Sequence, residues 1–544
     1  MFAALLAPSI WAADEPFFPK PAYFKRHFAT IPTKVELQNP ARLPDFLAGD
    51  KLELSLKNFL DLVMANNPDI TVQKLQVEYL DNAIMRAFGV FDPNALARFT
   101  TTRQQTPATN ALTGASTLNQ LTQPLSLSYT QLLPTGTTVN VGFANTKLST
   151  NSSFATFNPG HSSNLNFNIS QPLLRGRGSF ITRLPIIIAR SRLRSGQLGF
   201  EDQLIQLVSG AELAYWAVIE ARENLRVQEK ALELADTSLK RSNRELELGA
   251  ISSLEIFQPQ ANFASAQISV TQARYRLQQT EDALRRQMGA DQDPKFRETP
   301  IVLTETVDPP AGNSSFDKER LVEKAVTRRP DLKSIVESMA SDDLTITQVN
   351  NQLLPDLSLT AQYGSYGQGG VFYSKQNVFL GDGTTSQIVS TIPGGPGDAL
   401  GQVFGFGYPT YGFGVTLRLP IKDRATSANL ADAVVTKKLD AFKYKQAVLN
   451  TRLQVLQAVS QVENSKASVE LAKVARDLAQ KRVDAEQKRY DLGTTTIFFV
   501  LAAQQDFTTA EANLVRESIN YRRNLLSLLQ RTGELLDERG IRVQ

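Results

Sequence analysis

The sequence predicts an α+β fold in which a long coiled-coil helical hairpin occurs twice, each copy preceded by a shorter broken helix and a group of β-strands. Three observations carry that expectation. The stretch Tyr490-Asp491-Leu492-Gly493-Thr494-Thr495-Thr496-Ile497 has a counterpart in Leu246-Glu247-Leu248-Gly249-Ala250-Ile251-Ser252-Ser253. The offset between the two glycines holds without a gap along both flanks, pairing Leu239 with Val483, Gln260 with Gln504, Phe263 with Phe507 and Gly289 with Gly533. Apolar residues recur at every seventh position through Leu204, Ala211, Val218, Leu225, Leu232, Leu239 and Leu246. Val448, Val455, Val462, Val469, Arg476, Val483 and Tyr490 match them, a period that demands left-handed coiled-coil packing. Between the helical parts, Leu165-Asn-Phe-Asn-Ile-Ser-Gln171 and Tyr411-Gly-Phe-Gly-Val-Thr-Leu-Arg-Leu419 alternate apolar with small or polar residues, as strands with two different faces do.

Composition narrows the function classes. The 58 basic and 54 acidic residues leave a net charge of +4, and no basic block alternates with aromatics, so nothing points to nucleic acid. With no cysteine and only His27 and His161, thiolate metal sites, disulfides and cysteine nucleophiles are excluded, and no cofactor motif is present. Residues 1–13 read as the end of a secretory signal without its basic leader, an apolar run closing on Ala12 and Ala13. No later stretch approaches the ~18 apolar residues of a membrane helix, so a membrane crossing would have to be a β-barrel.

In chain order, 14–49 is a proline-punctuated extended arm, and 50–290 is the first repeat. The first repeat opens with a helix from Leu54 to about Val90, broken at Asn67-Pro68-Asp69. Strands are expected near Ala95–Thr102 and Leu165–Gln171, with an extra pair between them, Leu125–Gln131 and Val139–Asn145, joined by Leu133-Pro134-Thr135-Gly136. The long helix from about Thr182 to Leu248 is on the order of 100 Å at ~1.5 Å per residue, and a return helix runs from Ser252 to Met288. A linker, 291–315, leads to the second repeat, 316–537. That repeat has its own break at Arg329-Pro330-Asp331, strands Leu357–Tyr363 and Tyr411–Leu419 around a glycine-rich loop (Gly364 to Gly407), and a return helix from Thr495 to Leu536. A tail, 538–544, follows.

Each tip glycine follows the last periodic residue of its incoming helix, where a left-handed residue closes a helix. Ser252, Ser253, Thr495 and Thr496 are then placed to cap the outgoing helix.

Taken together and in duplicate, these features resemble the TolC-like outer membrane efflux protein family. The residues that carry the resemblance are the breaks at Asn66-Asn67-Pro68-Asp69 and Arg328-Arg329-Pro330-Asp331, Leu354-Pro355 entering a strand, Ser170-Gln171-Pro172-Leu173 and Leu417-Arg418-Leu419-Pro420-Ile421 leaving strands, and the two glycine tips. The resemblance implies hairpins assembled into an α-barrel that is continuous with a trimeric transmembrane β-barrel in the cell outer membrane, with a long periplasmic extension. It implies no enzyme activity. Its expected partners are two further copies, outer membrane lipid, a periplasmic adaptor (membrane fusion) protein and an inner-membrane transporter. It places adaptor contact at Leu248, Gly249, Ala250, Ile251 and Ser252, and at Leu492, Gly493, Thr494, Thr495 and Thr496. Members of the family often carry tip aspartates just beyond the second glycine. Phe499 and Ala502 stand there in this sequence, while Glu255 keeps the acidic position of the first repeat. The expected pore constriction is therefore Glu255 with Phe498 and Phe499.

Two other classes compete. A periplasmic or surface coiled-coil scaffold without transport would account for the heptads but not for the alternating strands. A secreted enzyme would need convergent polar groups, and neither HExxH nor GxSxG occurs. The extra hairpin leaves either four or six barrel strands per chain. The expectation here is four, with Leu125–Asn145 extending the extracellular side.

Overall fold

The computed structural model describes residues 41–108, 114–307, 316–375 and 388–542. The signal-like run and most of the arm lie outside them. The described residues form two compact units, one of 41–67 with 278–305, the other of those from 68 to 277 and from 306 to 542.

The smaller unit begins with β1 (Leu47–Ala48) and β2 (Lys51–Leu54), followed by α1 (Leu56–Asn66). The Ser55 hydroxyl accepts the Asn58 N–H and so caps α1. α1 buries Phe59, Leu60, Leu62 and Val63. The helix break expected at Asn67-Pro68 is present, and α2 (Pro68–Phe88) starts the larger unit.

Strands β3 (Asn94–Phe99), β4 (Thr102–Pro107), β5 (Thr117–Leu132), β6 (Thr138–Thr150) and β7 (Phe157–Pro172) lead into α3 (Ser179–Glu247) and α4 (Phe257–Gln287). β8 (Ile301–Leu303), inside the expected linker, pairs parallel with β2. The second repeat supplies α5 (Lys318–Arg328), α6 (Pro330–Gln352), β9 (Asp356–Lys375), β10 (Ile388–Ile392), α7 (Pro396–Phe404), β11 (Pro409–Arg418), α8 (Arg424–Asp491), α9 (Ile497–Thr532) and α10 (Leu535–Glu538).

The seven-residue series faces inward: Leu204, Ala211, Val218, Val455, Val462 and Val469 are buried, and the remaining members are half-buried. Along α8 and α9, Ala458, Val459, Val462 and Val469 pack against Tyr521 and Leu528. One expectation is corrected here. α3 does contain an 18-residue window apolar enough for a membrane, with mean hydropathy 1.2, but 61% of it is buried inside the protein. The apolarity of α3 thus serves helix packing, in which Leu204, Val208 and Tyr215 are fully covered.

The eight strands of the larger unit form one antiparallel sheet in the order β10-β9-β7-β6-β5-β3, with β11 beside β10 on β9 and β4 beside β3 on β5. The single strand expected near Ala95–Thr102 is split because it pairs with β5 across Pro124, which has no N–H to offer the ladder. The expectation of a four-strand sheet with a peripheral hairpin is also corrected. β5 and β6 pair from Gln120↔Thr150 to Leu132↔Thr138 and separate β3 from β7, so the sheet is six strands wide. Their turn, where Leu133 N–H bonds the Thr137 carbonyl at 2.8 Å, lies at the end where β7 runs into α3, not at the far end. Where it is described, the expected glycine-rich loop is regular structure, because β9 continues to Lys375 and α7 occupies Pro396–Phe404; 376–387 lie outside the described residues.

Candidate functional site

Residues facing each other across an antiparallel ladder share a face, so the pairing register sorts the side chains of the sheet. One face carries the rows Leu127–Phe143–Leu165–Ser365, Tyr129–Val141–Phe167–Tyr363–Tyr411 and Gln131–Val139–Ile169–Ala361–Phe413. Val415 and Leu417, opposite Leu359 and Leu357, continue it towards the helices. From Leu357 to Ser365 this apolar band measures about 27 Å of strand at ~3.4 Å per residue. Most of its surface is bare: Phe413 is 88% and Tyr411 81% exposed. The opposite face carries Ser126, Ser128, Thr130, Asn140, Asn164, Asn166, Asn168, Thr360 and Gln362, and Asn140 Nδ2 donates to Thr130 Oγ1 at 2.8 Å. Its amides and hydroxyls require water or each other.

The two hairpin tips close alike. Gly249 and Gly493 adopt φ of 70° and 71°. Gly249 N–H returns to Leu246 O and Ala250 N–H to Glu245 O, while Gly493 and Thr494 repeat the pattern with Tyr490 and Arg489, at 2.8–3.0 Å throughout. This doubly bonded left-handed closure satisfies the orphan carbonyls of α3 and α8. Leu248 and Leu492 each end 78% exposed beside the turn.

The capping expectation fails. Thr496 precedes α9 without a side-chain cap, the Thr494 hydroxyl donates to Arg489 O at 2.9 Å, and the Ser252 hydroxyl accepts from Leu254 N–H at 3.3 Å within a turn. The reason is local. At the second tip the hydroxyl engaged with a helix end is that of Thr494, bonded to the incoming helix, and at the first tip the chain makes an irregular turn through 251–256, so α4 begins only at Phe257.

Of the expected constriction residues, Phe498 and Phe499 stack edge to face at 5.5 Å and stay about half exposed, at 55% and 51%. Their neighbours Ile497, Val500 and Leu501 form the buried cluster under Tyr490. Glu255 is exposed in the irregular turn, close enough for its charge to act on Tyr490.

Between the tips lies a polar link that the sequence pattern does not reveal. The Tyr490 hydroxyl donates to the Glu245 carboxylate, and the Arg241 guanidinium sits 4.7 Å over the Tyr490 ring. Arg241 also bonds Glu245 at 2.8 Å and Asp491 at 2.7 Å. Burial, then the Glu245 hydrogen bond and charge, push the Tyr490 phenol up to about 12. The Arg241 hydrogen bond holds the Asp491 carboxyl below its ordinary range. The same offset that relates the tips puts Ala485 and Arg489 where Arg241 and Glu245 stand. The link is therefore asymmetric, and a search for repeated features passes over it.

The sequence profile of the outer membrane efflux protein family matches residues 131–290 and 321–534, most of both repeats. The chain belongs to that family. No curated protein sequence matches it. Among solved structures, CusC, described in terms of folding and transmembrane channel formation, is 15% identical with a TM-score of 0.61, covering 92% of this chain and 99% of its own. The CmeC outer membrane channel of Campylobacter jejuni is 17% identical with a TM-score of 0.59, covering 98% and 94%. The outer membrane protein VceC of Vibrio cholerae is 13% identical with a TM-score of 0.60, covering 88% and 96%. At these identities the likeness is one of fold. The family makes the chain an outer membrane efflux protein, and its fold is the one these solved channels have.

Proposed function

We propose that three copies of the chain form an exit duct through the outer membrane, reaching across the periplasm and opened at its helical tips by an adaptor protein and an inner-membrane pump. The observation that carries this reading is the two-faced sheet. Its apolar band, Leu357 to Ser365 along β9, has about the 9–11 residue length of a tilted strand that crosses a membrane, and its amide- and hydroxyl-rich face suits a wet lumen. A soluble scaffold would leave that band without a partner.

One copy cannot close the sheet, since β3/β4 and β10/β11 are edges. β11 of one copy beside β3 of the next, repeated three times, would give a barrel of about eighteen strands. Light scattering in mild detergent tests this, and a monomeric mass would remove the proposal's basis.

At the tips, Leu248 to Ser252 and Leu492 to Thr496 are the proposed adaptor contacts, with exposed Leu248 and Leu492 as the matched apolar pair. Phe498 and Phe499 constrict the resting pore, supported by their exposure in the single chain. A barrier of this kind acts by dewetting and has no ionisable group of its own, so any pH response comes from the groups that tie the tips together. Resting conductance in planar bilayers should accordingly be blocked only weakly by multivalent cations and should rise in Phe499→Ala. Strong block would point to Glu255 instead.

A further inference from the structure

The apolar face of the sheet is bare along the band but covered just beyond it. There α7 lies on β7 and β9, on the side where β9 runs away from the helices. Its seat is made of small residues: Ser163 and Ser365 are buried, and Gly367 and Gly369 leave room for the helix backbone. A Cβ on Gly367 would stand 2.1 Å from the Ala399 carbonyl oxygen, and one on Gly369 2.4 Å from that of Gly395. Ala399 and Val403 fill the seat and are fully buried.

The β9 edge between its β11 and β10 partners is closed by this segment. Gln402 accepts the Gln368 N–H and donates to the Gln368 carbonyl, both at 3.0 Å, and Tyr366 N–H bonds the Tyr408 carbonyl at 3.1 Å. The Asp398 carboxylate accepts the Gly395 N–H at 2.8 Å and is spent on its own helix start.

Aromatic residues at the end of this segment lie over the apolar face and stay largely open on their other side. Phe404 stacks on Phe143 at 6.3 Å and Phe406 meets Tyr363 at 5.9 Å, both on the apolar face, yet Phe404, Phe406 and Tyr408 remain 61%, 45% and 61% exposed. Beyond the row Leu125–Asn145–Ser163–Gly367 on that face, the row Gln123–Lys147–His161–Gly369 carries a lysine and no carboxylate.

We propose that α7 with Phe404, Phe406 and Tyr408 is an interfacial anchor, lying in the boundary between acyl chains and headgroups of the outer leaflet and fixing the height of the sheet in the bilayer. The occupant of its outward face is lipid, because the exposed rings of Phe404, Phe406 and Tyr408 continue the apolar band, with Lys147 beyond them on the same face of the sheet. The boundary between acyl chains and headgroups is where aromatic rings of membrane proteins are favoured. The inference rests on the reading that the apolar band faces lipid, and the experiment separates the two.

The chain has no cysteine, so single introduced cysteines label uniquely. Nitroxide would be placed at Phe404→Cys, Phe167→Cys and Asn166→Cys in the full-length protein in vesicles of phosphatidylethanolamine and phosphatidylglycerol. Collision with oxygen, which concentrates in hydrocarbon, is then compared with collision with a water-soluble nickel chelate. The expected result is a deep lipid signature at 167, a water signature at 166, and at 404 an oxygen excess several-fold smaller than at 167, marking a shallow lipid position. If 167 lies in lipid while 404 meets the nickel chelate as freely as 166 does, the anchor is refuted and the barrel stands. Shielding of 404 from both reagents means that a neighbouring copy covers it, which also refutes the anchor. A water signature at 167 removes the membrane reading and the anchor with it.

Discussion

The two repeats differ most where each connects its first strand to its last. The first repeat spends the connection on two full strands, β5 and β6, that widen the sheet; the second spends it on α7, laid over the apolar face. The helical parts tolerate no such freedom, since one offset relates them from Leu239/Val483 to Gly289/Gly533. A coiled-coil hairpin is held in register by every seventh residue along α3 and α8, so an insertion displaces all later contacts. A strand connection at a sheet end meets only its own ladder neighbours and accepts either solution.

The sharpest break of this contrast is at the α7 seat. Gly367→Leu puts side-chain atoms where the Ala399 carbonyl is, and should cost about 2–3 kcal/mol through overpacking. The temperature at which the oligomer dissociates in detergent gels should drop, while far-UV helix content, dominated by α3 and α8, stays unchanged. An unaltered dissociation temperature would mean that α7 is a passenger on the sheet.

A smaller effect is expected where the repeats are tied together. Tyr490→Phe removes a hydrogen bond to a charged acceptor, worth about 1 kcal/mol once discounted for its half-exposed setting. Arg241→Ala removes its ring contact and two ion pairs and should loosen the tips more. Arg489→Ala, at the position equivalent to Glu245, takes no part in the link and should change antibiotic leakage little. Equal leakage from Arg241→Ala and Arg489→Ala would show that the asymmetry has no consequence.

What was legible in the sequence follows from this contrast. The heptads, the breaks before Pro68 and Pro330, and the left-handed glycines are local or periodic signals, and the structure carries all of them. The width of the sheet was not legible, because alternation in β5 and β6 shows that they are strands but not which strands they lie between. Nor was α7. Its sequence is short, and what places it is the space left by Gly367 and Gly369 on another element. Phe498 and Phe499 were legible as a pair, whereas Arg241 and Glu245 were hidden because their repeat counterparts, Ala485 and Arg489, share no chemistry with them.

The two tips themselves should respond identically. A methyl group added at Gly249 or Gly493 would meet no other atom within 4 Å, so only backbone strain is at issue. Gly249→Ala and Gly493→Ala should each cost about 1 kcal/mol for a left-handed non-glycine residue. Hydrogen exchange at Ala250 and Thr494, whose N–H groups complete the closures, provides the comparison. A rise in exchange at only one of them would show that the tips are not equivalent.

The smallest expected effect is on the pH profile of the link. Tyr490 has its phenol raised to about 12 in the folded protein, against about 10 for an unperturbed tyrosine. Its contribution is complete below about pH 10 and disappears as pH climbs towards 12, because the ionised phenolate can no longer donate to Glu245 and repels it. Asp491 behaves in the opposite sense. Its carboxyl is held low by Arg241, so its contribution is present above the ordinary carboxylate range and is lost as pH falls through it. Resting conductance in planar bilayers should thus be flat across neutral pH and rise on both sides. Tyr490→Phe should abolish the alkaline limb alone and Asp491→Asn the acidic limb alone. An alkaline limb that survives in Tyr490→Phe would assign the opening to other groups and leave the tyrosine as packing over Ile497, Val500 and Leu501.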